Sequence, residues 1–201
     1  TISNVLDDND QRVVIAGEHQ LSNTLDTAGA ASGVTLTGAG ENATIVEDGA
    51  VNLVNVSGNS MTNLEISGLT FNLDNGGTSA IIAGTSTGTG LFISNNEFLN
   101  VNSDDNAIDF VGTDNIQDVE VSDNTFDSDD SYTAVAFAAN VLANTGSDEV
   151  VVSGNTIDGA TEGVNLGQTD DGSLVISVTD NEFLNITAAA AQNDAGVYVD
   201  D

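Results

Sequence analysis

The residues with the most chemical potential in this chain are carboxylates. Asp and Glu number 32, against a single basic residue, Arg12, a single histidine, His19, and no Cys. Two carboxylates at the right separation can act as general acid and base on a glycosidic bond. Asp104 and Asp105, in the stretch NSDDNAIDF, are the candidates for that chemistry. Carboxylates in stacked turns can also hold hard cations; Ca²⁺ takes about six to eight oxygen ligands at about 2.3–2.6 Å. Asp74, Asp104, Asp105, Asp127, Asp129, Asp130 and Asp158 all follow an apolar motif at similar points of a repeat, and Asp7, Asp8 and Asp10 form a second group. Neither group has an EF-hand pattern or the nonapeptide pattern of calcium-binding β-rolls. Calcium is the one cofactor the composition suggests, and no other is expected. The lack of Cys excludes disulfides and thiolate metal sites. No Ser–His pairing supports nucleophilic catalysis. Arg12 reads as a surface pair-former and His19 as an ordinary polar side chain.

Charge bounds the partners. The formal net charge is −31 over 201 residues. Nothing on such a surface neutralises phosphates, so nucleic acid is excluded as a partner. An anionic membrane surface is excluded on the same ground, and no run of about eighteen apolar residues suggests a spanning helix. Self-repulsion at this charge destabilises a compact state at low salt. High ionic strength shortens the Debye length, and bound divalent cations would act in the same direction. A salty or calcium-rich, extracellular or cell-surface setting is the expectation. The chain starts at Thr1 and reads as a mature or excised chain.

The elements that must position these carboxylates are short strands. In Asp118–Phe137, Val119 and Val121 alternate with Glu120, Ser122-Asp123-Asn124 interrupts, and Phe126 restarts the apolar pattern. Asn tolerates the left-handed backbone region, so one Asn such as Asn124 is expected to make the bend. Equivalent units occur around Ile66, Ile93, Val152 and Val178. With Val121 they make a nearly even series, inside the spacing expected of stacked structural repeats. A second motif follows each: Ala80-Ile81-Ile82, Ala107-Ile108, Ala134-Val135, Gly163-Val164 and Gly196-Val197. Two motifs recurring in step mark a solenoid. Regular coils are expected over 61–201 and irregular first coils over 1–60, with 1–201 forming a single domain. Arg12–Gly17 reads as the first strand, and Gln20–Ser32 as a loop that could hold short strands. Asn96, Asn124, Asn155 and Asn181 are expected to stack as a ladder of amides that satisfies buried polar groups.

The stretch GVTLTGAGENATIV and the repeated apolar-x-apolar-Ser-x-Asn-x-apolar units resemble the pectate-lyase-like right-handed parallel β-helix superfamily. The resemblance covers most of the stretch 33–199. It implies an all-β, right-handed parallel β-helix, here of about seven to eight coils. It also implies two activities to test for. Lyases of this fold use Arg or Lys as base, and only Arg12 is present, outside the regular coils. Hydrolases of this fold carry Gly-His-Gly and Arg-x-Lys motifs, and both are absent. The expectation is therefore a non-catalytic protein. Such helices usually cover the first coil with an amphipathic helix, and none precedes Arg12. Open ends invite pairing, and a heterologous contact that does not close gives a filament. The expected function is a structural protein that polymerises with itself, head to tail, as a filament, sheath or surface layer. The alternative is an adhesin or carbohydrate-binding module of a larger surface or phage protein. Scarce aromatics, with no Trp and only Tyr132 and Tyr198 as tyrosines, speak against surface glycans as partners. Sequons at Asn42, Asn55 and Asn185 are glycosylation candidates.

Overall fold

In a computed structural model, residues 9–26, 32–40, 42–49, 51–57, 62–73, 79–84, 89–103, 105–111, 117–138, 149–167, 175–187 and 195–199 are described. They form three parallel sheets of seven strands each. Each turn of the chain gives one strand to each sheet, so the strands wind into seven coils of an all-β solenoid. The first coil spans 12–26 and the second spans 35–57. The third to seventh coils span 62–84, 89–111, 117–137, 149–166 and 175–199. In coil 5 the three strands are Gln117–Ser122, Thr125–Asp127 and Thr133–Phe137.

Parallel register stacks like positions on like positions. In sheet 1 one inward column runs Val13, Leu36, Ile66, Ile93, Val121, Val152, Val178. The five residues that set the repeat in the sequence thus lie directly over one another. In sheet 2 the inward column is His19, Ile45, Phe71, Phe98, Phe126, Ile157, Phe183. In sheet 3 it is Leu25, Val54, Ile81, Ile108, Val135, Val164, Val197. These columns fill one continuous core. The Phe71 and Phe98 rings stack at 5.2 Å, Phe98 and Phe126 at 4.7 Å, and Phe110 and Phe137 at 4.4 Å.

Coils 1 and 2 obey the same three-sheet plan. Gln20–Ser32, expected to be mainly loop, contributes to the strands Glu18–Leu21 and Leu25–Asp26. The period is less even here. The step from Val13 to Leu36 is shorter than any in the later coils, and the next, from Leu36 to Ile66, is among the longest.

The corners explain much of the Asn and Asp usage. Every described non-glycine residue with positive φ is Asn or Asp: Asp10, Asn63, Asn95, Asn100, Asp118, Asp123, Asp180 and Asn185. These two side chains tolerate the left-handed region where β-branched or bulky residues do not. Gly68 and Gly154 take the same corner position as Asn95, Asp123 and Asp180 in their own coils. This corrects the assignment of the bend to Asn124. Asp123 turns the chain, and Asn124 then points inward.

The two ends of the stack differ. In coil 1, Val13, Ile15, Leu21 and Leu25 are all buried, and its strands, the first of their sheets, pair with no described strand on their outer edges. In coil 7, Val197 is 38% and Val199 60% exposed, whereas their column partners in coil 6, Val164 and Leu166, are 0% and 7%. The Phe183 ring lies over Gly163 and Gly196, where any Cβ would collide with it.

Candidate functional site

The asparagine corner is the most ordered polar feature of the solenoid. Asn96, Asn124 and Asn155 are buried, and Asn181 is half-buried. Each side chain bridges two neighbours. Asn124 Nδ2 donates to the Ile93 carbonyl at 2.9 Å and to Asn155 Oδ1 at 3.0 Å. The Asn124 backbone N–H donates to the same Asn155 Oδ1 at 2.9 Å. Asn96 repeats this towards Ile66 and Asn124, and Asn155 towards Val121 and Asn181. At one end Leu69 N–H donates to Asn96 Oδ1 at 3.1 Å, and at the other Asn181 Nδ2 reaches the Val152 carbonyl at 2.8 Å. Backbone groups that a sharp corner takes out of the strand ladder are paired in this way, and leaving them unpaired would be costly. The sequence signal for the division of labour lies in the repeats themselves. The residue before the ladder varies (Asn95, Asp123, Gly154, Asp180), while the ladder residue in those coils is always Asn.

An open groove of about 630 Å³ runs beside this corner. Gly38, Gly68, Asn95, Glu97, Asp123 and Thr125 are among its lining residues. Glu97 Oε2 accepts from Thr70 Oγ1 at 3.0 Å. The lining holds carboxylates, amides and hydroxyls but no cationic or aromatic side chain.

The carboxylates are interleaved rather than massed. The outward column of sheet 2 reads Glu18, Thr44, Thr70, Glu97, Thr125, Thr156, Glu182. Its glutamates are three rungs apart, about 14 Å at the usual strand spacing, which exceeds a Debye length of about 8 Å at physiological salt. In sheet 1, Phe92 separates Glu65 from Glu120. Among the paired strand residues, Asp127 and Asp158 are the one acidic pair in direct register. Asn185 Nδ2 donates to Asp158 Oδ1 at 2.7 Å. Tyr132 lies buried beside them, and its hydroxyl donates to the Asp158 carbonyl at 2.8 Å. Burial, then the charges of Asp127 and Asp158, push the Tyr132 phenol well above its ordinary range.

Of the cation candidates, Asp7, Asp8, Asp74 and Asp104 lie outside the described residues. Asp10 occupies a left-handed corner, and its carboxylate sits against Gly33. Asp105 is half-buried; its N–H donates to the Asn102 carbonyl, and its own carbonyl accepts from Thr133 N–H. Asp129 and Asp130 are exposed, and Asp130 N–H donates to Ser128 Oγ. Among the described residues, no three Asp, Glu, His or Cys side chains gather where they could hold a metal ion. Asp109, which the sequence did not single out, is half-buried on the outer face of sheet 3 between Ile82 and Ala136. Burial raises its carboxyl above the ordinary range, and a hydrogen bond with the Asn106 side chain opposes the shift.

The three sequon asparagines differ. Asn42 is exposed in the turn between sheets 1 and 2 of coil 2. Asn55 is half-buried within the strand Val54–Ser57. Asn185 is exposed, but its amide is engaged by Asp158. Arg12 is exposed and pairs with no carboxylate among the described residues. His19 is half-buried at the head of the sheet 2 core column, and its Nε2 lies 3.0 Å from the Ala16 carbonyl. Comparison with family models, with curated proteins and with solved structures gives no match to this chain.

Proposed function

We propose that the protein is a non-catalytic structural solenoid that assembles end to end with copies of itself, in an extracellular or cell-surface setting of high ionic strength. The observation that carries this reading is the exposed core face of coil 7. Val197 and Val199 occupy columns that are buried in coil 6, and Ile176, Val178 and Phe183 are only partly covered. The strands of coil 7 are also the last of their sheets, so their outer edges pair with no described strand. An apolar face bordered by free strand edges favours pairing. A further coil from a second copy satisfies both.

The two ends present different surfaces, as a heterologous, non-closing contact requires. A contact between two coil 7 faces would instead set Asp180 and Glu182 of each copy against each other. The interleaved carboxylates fit a surface screened by diffuse salt, with no specific calcium site needed. The three-sheet coil with an asparagine ladder at one corner supports kinship with the pectate-lyase-like β-helices. Lyase chemistry, which needs an Arg or Lys base, finds none in the lining of the groove at that corner. The adhesin alternative loses a sugar platform in Tyr132, which is buried.

Val199→Asp tests the reading. It places a charge on the open face, at a side chain that is 60% exposed. Sedimentation velocity in about 1 M salt, where the Debye length is about 3 Å, should show large assemblies for the unchanged chain and monomers for the variant. Equal behaviour of the two would contradict an assembly through coil 7.

A further inference from the structure

We infer that the outer face of sheet 1 around Phe92, together with the groove beside it, binds a neutral polysaccharide chain. This face lies on the flank of the solenoid, midway along the stack, so the site stands whether or not copies join end to end. Aromatics are scarce, and Phe92 is the one exposed aromatic side chain among the described residues. Leu91 and Ile93, before and after it, are buried. The Phe92 ring leans along its strand over Gly90. A Cβ added at Gly90 would stand 3.2 Å from Phe92 Cε2 and 2.7 Å from Asn63 Oδ1.

Carboxylates bracket the ring. The register sets Glu65 on one side of Phe92 and Glu120 on the other, two rungs or about 10 Å apart. Ser67 Oγ donates to Glu65 Oε1 at 2.9 Å, and Ser122 Oγ donates to Glu120 Oε1 at 2.8 Å. Towards the corner the same coil runs on through Ser94 to Asn95 and Glu97, both of which line the open groove. Glu97 is held in the same way, by Thr70 Oγ1. Three exposed carboxylates are thus fixed in direction by neighbouring hydroxyls, and a carboxylate has a second oxygen to offer.

This combination selects a ligand. The face of an aromatic ring is negative, so it attracts either the weakly positive C–H face of a sugar or a cation. Carboxylates accept strong hydrogen bonds from sugar hydroxyls, and the Asn95 amide and Thr125 hydroxyl in the groove can donate in return. A uronate or sulfated chain meets repulsion, with no cationic side chain in the lining to receive it. A point cation is a poorer fit, because Phe92 holds Glu65 and Glu120 apart and no three acidic side chains converge among the described residues. Spread acceptors around one apolar platform suit a polyol. The groove lining runs from Gly38 and Gly40 in coil 2 to Asp123 and Thr125 in coil 5, three rungs or about 14 Å. That is room for several sugars in a row along the axis.

Saturation-transfer NMR on the whole chain tests this, with cellohexaose, mannohexaose and chitohexaose as probes. An oligogalacturonate serves as the anionic control and a Lys-rich peptide as the basic one. At about 1 M salt, where ionic contacts are screened, at least one neutral probe should show transfer and the oligogalacturonate none. Phe92→Ala should weaken that probe about tenfold or more, and Glu97→Gln should weaken it less. Phe92→Tyr should keep binding. Leu184→Ala, an exposed apolar change in coil 7, should leave it unaltered. Phe92→Ala should melt with the unchanged chain, which separates loss of the site from loss of the fold. No transfer from any neutral probe overturns the assignment, and so does equal binding by Phe92→Ala. If only the Lys-rich peptide binds, and high salt releases it, the face takes a basic partner and the sugar assignment falls.

Discussion

Asn124→Ala is expected to cost on the order of 3–5 kcal/mol, a large part of the roughly 5–15 kcal/mol that holds a domain folded. The change deletes one amide but orphans groups on both sides. The Asn96 N–H loses the oxygen it donates to at 3.0 Å, and the Ile93 carbonyl loses its 2.9 Å donor. Both belong to a buried corner where water cannot replace the partner, and each unpaired buried group costs about 1–3 kcal/mol. Asn124→Asp keeps the shape and the oxygen that Asn96 needs, but turns an oxygen toward the Ile93 carbonyl and Asn155 Oδ1, both acceptors. It should be no better than alanine at neutral pH. Asn181→Ala should cost much less, about 1 kcal/mol, because its rung is half-buried. Chemical denaturation of the three variants would check the order, and equal losses at 124 and 181 would contradict a buried ladder.

Phe98→Ala should cost about 3–5 kcal/mol. Phe98 is fully buried, and its ring stacks on both Phe71 and Phe126. Its removal opens a cavity that parallel strands at fixed spacing cannot close by moving together. Phe98→Leu, which keeps most of the volume, should cost about 1–2 kcal/mol. Phe92 gives the control. It belongs to the same coil but lies on the outer face, 36% exposed, so Phe92→Ala should stay within about 0.5 kcal/mol. Thermal or denaturant melts would reveal whether inward and outward phenylalanines separate in this way.

Much of the fold is legible because stacking makes the sequence repeat itself. Ile66, Ile93, Val121, Val152 and Val178 recur in the sequence and lie in register in the structure. The first coils are harder to read for a physical reason. Coil 1 puts His19 where most later coils put Phe, and coil 2 widens its corner with Gly38-Ala39-Gly40. Both changes blur the period while leaving the strands paired. The ladder corner is readable as a unit but not as two residues. Periodicity cannot tell a residue chosen for its backbone angle from a neighbour chosen for its amide, and Asp123 and Asn124 are such a pair.

Acidic clustering is the least legible feature. Adjacent Asp in sequence suggests a stripe of ligands. Stacking order decides what is adjacent in space, and it sets Thr, Phe, Val or Leu beside most of the described strand carboxylates. Asp109 shows the converse. It looks like any strand-face acid, and only its position between Ile82 and Ala136 explains its raised carboxyl.

Fibre diffraction or electron microscopy of the assembled chain tests the central claim most directly. Seven coils at about 4.8 Å per rung give a body about 34 Å long. End-to-end assembly predicts polar fibres with a meridional reflection at about 4.8 Å and a rise per subunit of about 35–45 Å. Monomers alone, closed two-fold dimers twice the length of one body, or sheets of laterally packed subunits would contradict it.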